Sequence, residues 1–134
     1  MNSWEKSNLE LSPAPEMTML DESGMLTVLI KHDYYSSDTD HGRFLLISFL
    51  ESLCECGSSI LKVILLDSAV KLLNDASFAP GIEKLFSLSK FSYVCEESLE
   101  TYGIEYVSHG NIIVCPSSDI AMEISQAGHL ITLE

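Results

Sequence analysis

Positive charge is scarce in this chain. Seven Lys and Arg stand against twenty Asp and Glu, and the formal net charge is −13. Too few cations are present to build a phosphate-neutralising surface, so nucleic acid is not an expected partner. Long apolar runs are missing too. None approaches the roughly 20 residues of a membrane span, and no membrane association is expected. The opening MNSWEKSNLE has neither a basic n-region nor an apolar h-region, so no secretory leader is read there and the cytoplasm is the expected compartment. Cys54, Cys56, Cys95 and Cys115 form no pair of Cys-x-x-Cys motifs. No metal site is expected, and in a reducing compartment the four are free thiols. A Gly-rich dinucleotide fingerprint, a P-loop and a G-x-S-x-G elbow are all absent, so no cofactor is implied.

What is present is a repeated alternation. Residues 1–24 lack sustained periodicity and carry Pro13 and Pro15, which reads as a flexible tail. From residue 25 the chain reads as one domain to residue 134. Short continuous apolar runs at Met25–Lys31, Ile60–Leu66, Phe91–Val94, Asn111–Val114 and Leu130–Leu133 read as strands. Helical spacing separates them. The first helix is expected from about Thr39 to Cys56, capped by Ser37 or Asp38, well buried through Phe44, Leu45, Leu46, Ile47, Phe49, Leu50 and Leu53, and stopped at Gly57. Asp67–Ala69 reads as a turn, followed by a break at Asn74–Gly81 and a short helix over Ile82–Leu88. Ser98–Tyr102 reads as one helical turn ended by Gly103, and Ile104–Val107 as extended. A last helix is expected to be capped by Ser117, Ser118 or Asp119. Buried strands alternating with helices imply an α/β fold, a three-layer α/β/α sandwich around a mainly parallel sheet of about five strands.

In such a fold the strand-to-helix loops share one edge, where ligands bind. Four loops are placed there: His32–Asp38, Asp67–Asn74, Cys95–Ser98 and Cys115–Asp119. Cys95 ends a strand just before a helix. It reads either as a nucleophile favoured by that position or as a small packing residue, and the carboxylates of Glu96 and Glu97 disfavour a thiolate. Cys115 ends another strand and reads as a packing residue that could share the edge. Cys54 and Cys56 sit two apart on a helix, facing different sides. His41, in the first helical turn, is a candidate acid–base partner or a surface histidine, and His32 divides the same way. Lys71 could attract an anion or pair with a carboxylate. Asp67 and Ser68 stand beside it.

Three stretches in order carry a resemblance. Ser37–Phe49, SDTDHGRFLLISF, looks like an acidic loop and Gly-containing first helix, with Gly42 as the glycine. Leu66–Leu72, LDSAVKL, is similar to an N-S-G-V-K-L segment, and Cys95–Ile104, CEESLETYGI, to a C-G-T-C-L-D-Y-Y-G-L motif. Together they resemble the DsrE-like superfamily, of flavodoxin-like architecture, and within it the C-terminal domain of YedF-type sulfurtransferase-like proteins linked to selenium metabolism. The resemblance implies a commonly oligomeric domain that carries sulfur or selenium as a cysteine persulfide in a sulfur relay. That role falls on Cys95, with Lys71 and His41 as candidate helpers, Asp67, Ser68, Ser98 and Cys115 as candidate binding positions, and a TusA-like sulfur carrier as partner. Ser98 replaces the motif's second cysteine, so dithiol chemistry at the motif is lost, while Glu96 and Glu97 replace small neutral residues. The alternative is a non-catalytic binding or oligomer-forming subunit of the same fold.

Overall fold

A computed structural model describes residues 24–55 and 59–134. The tail read over residues 1–24 therefore lies outside them but for Gly24, as do Cys56 and the expected helix stop at Gly57. Among the described residues five strands form: β1 (Leu26–Ile30), β2 (Ile60–Leu65), β3 (Ser89–Cys95), β4 (Ile112–Cys115) and β5 (His129–Leu133). They pair in the order β4-β3-β2-β1-β5, every pair parallel. Between them lie α1 (Asp40–Glu55), a 3-10 helix (Asp67–Asn74), α2 (Ala79–Leu88), α3 (Glu96–Tyr102) and α4 (Ser117–Ser125). The α/β fold with a parallel five-strand sheet is the one expected.

The strand order explains the layers. The chain steps in one direction from β1 to β4, then crosses back over the sheet to place β5 beside β1. Right-handed crossovers running in opposite directions put their helices on opposite faces. Accordingly Val28, Ile30, Val63, Leu65 and Val94 pack with Leu46 and Leu50 of α1, Ile82 and Leu85 of α2 and Leu99 of α3. Leu29, Ile64, Cys95 and Cys115 point to the other face and pack with Ile120 of α4. Each fully buried aliphatic side chain contributes about 1.5–3 kcal/mol. Among the described residues one helix packs on the second face, and Phe91, Ile113 and Leu130 are exposed there, placed by the alternation of side chains along each strand.

Several helix starts depart from expectation. The cap of α1 is Thr39 rather than Ser37 or Asp38: Thr39 Oγ1 accepts from the Gly42 N–H at 3.0 Å, and Ser37 Oγ bonds Thr39 Oγ1 at 2.9 Å. Burial of α1 is narrower than read. Gly42, Leu46 and Leu50 form one stripe at four-residue spacing, while Phe44 faces outward, 63 % exposed. Asp67 opens a 3-10 helix instead of a simple turn. Helix α2 begins at Ala79, before the expected Ile82, because Pro80 lies in the first turn, where a missing N–H loses nothing. Ile104–Val107 forms no strand, and Asn111 stands just outside β4, donating to the Phe86 and Ser89 carbonyls. The N-cap of α4 is Pro116, not a serine or aspartate, and makes no side-chain cap bond.

Gly42 explains the tight start of α1. Its carbonyl accepts from the Tyr35 N–H at 2.9 Å, and a Cβ on it would lie 1.8 Å from the Ser37 carbonyl oxygen. Gly81 has open space around the same position. Gly42→Ala is therefore expected to lose about 1–3 kcal/mol of stability through overpacking, despite alanine's helix propensity. Gly81→Ala is expected to be neutral or stabilising by up to about 1 kcal/mol. Denaturant titration of the two variants against the parent chain measures the contrast, and equal effects would contradict it.

Candidate functional site

All five strands are parallel, so their C-terminal ends share one edge. The helix after β3 lies on one face and the helix after β4 on the other. The connections thus part between β3 and β4, which makes that point a topological switch, the place where open α/β sheets form their crevice. Cys95 and Cys115 end these two strands and are in-register neighbours. Both are buried, 3 % and 7 % exposed.

Glu97 bridges the switch point. Its Oε1 accepts from the Ser117 N–H at 2.8 Å and its Oε2 from the Ser117 hydroxyl at 3.0 Å. It thus takes the first N–H of α4, the orphan donor that the expected serine caps leave unfilled. The Cys95 thiol donates to the same Oε1 at 3.6 Å. Hydrogen bonds to its own backbone and to Ser117 hold the Glu97 carboxyl below the usual carboxylate range. The Cys115 thiol is pushed up to about 11, first by burial and then by the charges of Asp119, Cys95, Glu123 and Glu97.

A second group of polar side chains spans the ends of β1 and β2. Asp67 adopts a left-handed φ of 51°, a conformation aspartate tolerates better than most residues. Ser98 Oγ accepts from the Asp67 N–H at 2.8 Å, and the Tyr102 hydroxyl donates to Asp67 Oδ1 at 3.0 Å. That second bond raises the Tyr102 phenol above its ordinary value. Asp67 Oδ2 stands 3.8 Å from His32 Nδ1, and Ser68 Oγ lies 3.5 Å from the same nitrogen and accepts from the Asp33 N–H at 3.2 Å. Lys71 reaches Asp33 at 4.0 Å and lies 5.0 Å above the Tyr102 ring. Two segments of α3 are thus used: its start holds the switch point and its middle holds Asp67.

The structure brings Asp67, Ser68, Ser98 and Lys71 into this network, and Cys95 and Cys115 together at the switch point. His41 is exposed and stacks near Phe44, with ring centroids 6.4 Å apart. The contacts of Lys71 run to Asp33 and Tyr102. Sequence reasoning missed Glu97 as a bridge, along with Tyr102, Asp33 and Ser117. A signal existed: Glu97 and Ser117 each stand two residues after a cysteine that reads as a strand end. An open groove of about 550 Å³ runs along α3, lined by Glu96, Leu99, Glu100, Ile104, Tyr106 and Val114. Among the described residues no group of three or more His, Cys, Asp or Glu could hold a metal, and no helix is long and apolar enough to cross a membrane.

The geometry defines an α/β protein with a cysteine pair at a sheet-edge switch point. No family model and no curated protein matches the chain. Solved structures do share its fold. The ychN protein from E. coli superposes with a TM-score of 0.54 at 15 % identity, over 81 % of this chain and 99 % of that one. A protein of unknown function, MTH1491 from Methanobacterium thermoautotrophicum, does so with a TM-score of 0.55 at 17 % identity, over 81 % and 97 %. This likeness is one of fold.

Glu97 stabilises the edge only while ionised. Its pKa is depressed in the fold, so its contribution is present above the ordinary value of 4.5 and is lost as pH falls through the folded value. Glu97→Gln is expected to lower stability at neutral pH, with the difference from the parent shrinking in acid. Loosening the bridge also uncovers Cys95, so a thiol reagent should label it several-fold faster in the variant. Unchanged labelling, with a pH-independent stability difference, would contradict the bridge.

Proposed function

We propose that the protein is a carrier of sulfur, or of selenium, that holds its cargo as a persulfide on Cys95. The observation that supports this reading is the position of Cys95: last residue of β3, N-cap of α3, at the switch point of the sheet. The Cys95 thiolate attacks the outer sulfur of a donor persulfide. A new S–S bond forms on Cys95, the donor's S–S bond breaks, and the donor leaves as thiolate. A partner thiol then takes the outer sulfur by the same exchange. Lys71 supplies positive charge on the shared edge and His41 a proton shuttle. Because their resting contacts lie elsewhere, removing either should slow transfer far less than removing Cys95.

In this reading the protein works in the cytoplasm as a homo-oligomer, and its partner is a TusA-like sulfur carrier. The groove along α3, with Glu96 and Glu100 in its wall, suits a partner segment with basic residues around an apolar one. The closeness to YedF-type proteins rests on the motifs at Ser37–Phe49, Leu66–Leu72 and Cys95–Ile104.

One observation favours a non-catalytic subunit instead. Cys95 is nearly inaccessible and its thiol is engaged by a carboxylate. Mass spectrometry after incubation with inorganic polysulfide separates the two. The carrier reading expects an added sulfur on Cys95 that a partner thiol removes, and loss of loading in Cys95→Ala. No adduct on Cys95, or equal labelling of every thiol, favours the subunit reading.

A further inference from the structure

The switch point holds a second thiol, and the register of the sheet says where. Cys95 pairs with Cys115 as the last residues of β3 and β4. In-register partners on neighbouring parallel strands project from the same face, and both sulfurs lie in the small cluster with Leu29, Ile64 and Ile120 under α4. Neighbouring strands run about 4.8 Å apart. Disulfides join residues whose Cα atoms lie about 4.4–6.8 Å apart. The spacing of in-register neighbours thus falls within the Cα range that disulfides span. The Glu97–Ser117 bridge ties together the two segments that follow these cysteines, holding the pair in one arrangement. Ser98, which stands where the resembled motif has its second cysteine, is occupied with Asp67. Cys115 supplies the missing partner from the next strand.

We propose that Cys115 is the resolving thiol for Cys95, converting a carried sulfur to hydrosulfide when no acceptor takes it. The inference rests on the persulfide reading of Cys95. The Cys115 thiolate attacks the inner sulfur of the Cys95 persulfide, its proton having passed to water. The Cys95–Cys115 bond forms, the bond to the outer sulfur breaks, and that sulfur leaves as hydrosulfide with the bonding electron pair. The sulfane sulfur is thereby reduced by two electrons and the two cysteines are oxidised to a disulfide. An external thiol reduces the disulfide and returns the resting pair. The charged and titratable groups around Cys115 set the timing. Burial, Asp119 and Glu123 of α4, Glu97 of α3 and Cys95 of β3 all keep it a thiol, so at neutral pH the persulfide persists long enough to be handed on.

The test uses the full chain loaded with inorganic polysulfide and freed of excess donor. Persulfide, cross-linked peptides and sulfide are followed without reductant between about pH 7 and pH 9. The expected result is loss of the Cys95 persulfide matched by a Cys95–Cys115 peptide and an equivalent of hydrosulfide, at a rate rising about tenfold per pH unit. Cys115→Ala and Cys115→Ser, two variants in case one folds poorly, should keep the persulfide at least about tenfold longer and form no such link. Decay at the parent rate in both variants overturns the inference while leaving Cys95 a carrier, as does a link from Cys95 to Cys54 or Cys56. Failure of Cys95 to load at all overturns the carrier reading as well.

Discussion

The Glu97 carboxylate is the interaction on which this edge of the molecule depends. The chain reverses its direction of travel across the sheet after β4, so α3 and α4 leave neighbouring strands toward opposite faces. Such a parting opens a crevice and leaves the first N–H groups of α4 without intrahelical partners. Glu97 reaches from α3 across that gap to Ser117, at both its backbone and its hydroxyl. The same oxygen that takes the Ser117 N–H also faces the Cys95 thiol. One side chain thus closes the crevice, caps a helix and sits against the candidate reactive sulfur.

That arrangement makes the chemistry of the edge conditional. Cys95 and Cys115 lie beneath the bridge in a mostly apolar cluster, on the face that α4 covers. Cys95 is 3 % exposed, so under the proposed carrier role the bridge opens for exchange and its closure protects the cargo. Asp67 is held separately. Its left-handed backbone is fixed by Ser98 and its carboxylate by Tyr102, which ties the end of β2 to the body of α3. The two groups are joined by α3, a seven-residue helix anchored in the core by Leu99.

The strands were legible because each is a continuous run of aliphatic and β-branched residues, the mark of a sheet buried on both faces. Legibility fails where a tertiary partner decides. Five candidate caps in the sequence, Ser37, Asp38, Ser117, Ser118 and Asp119, lose to Thr39 and to Glu97, the latter twenty residues along the chain from the Ser117 N–H it accepts. Phe44 fits a helical period yet faces outward, 63 % exposed, while Leu46 and Leu50 of the same helix are fully buried in the core. The edge itself is legible from strand ends alone, and strand ends place Cys95, Asp67, Ser68, Ser98 and Lys71 beside it. Pairing Cys95 with Cys115 needs the register of β3 on β4, which crossover packing sets and local sequence does not display.

If one ionised carboxylate holds the switch point closed over Cys95, its own titration reports it. The decisive measurement is the carboxyl 13C shift of Glu97 followed by NMR through the acid range. The account predicts a midpoint below the ordinary glutamate value of 4.5, together with a loss of the Ser117 amide's hydrogen-bonded shift over the same interval. A midpoint at or above that value, with the Ser117 amide unchanged, would contradict it.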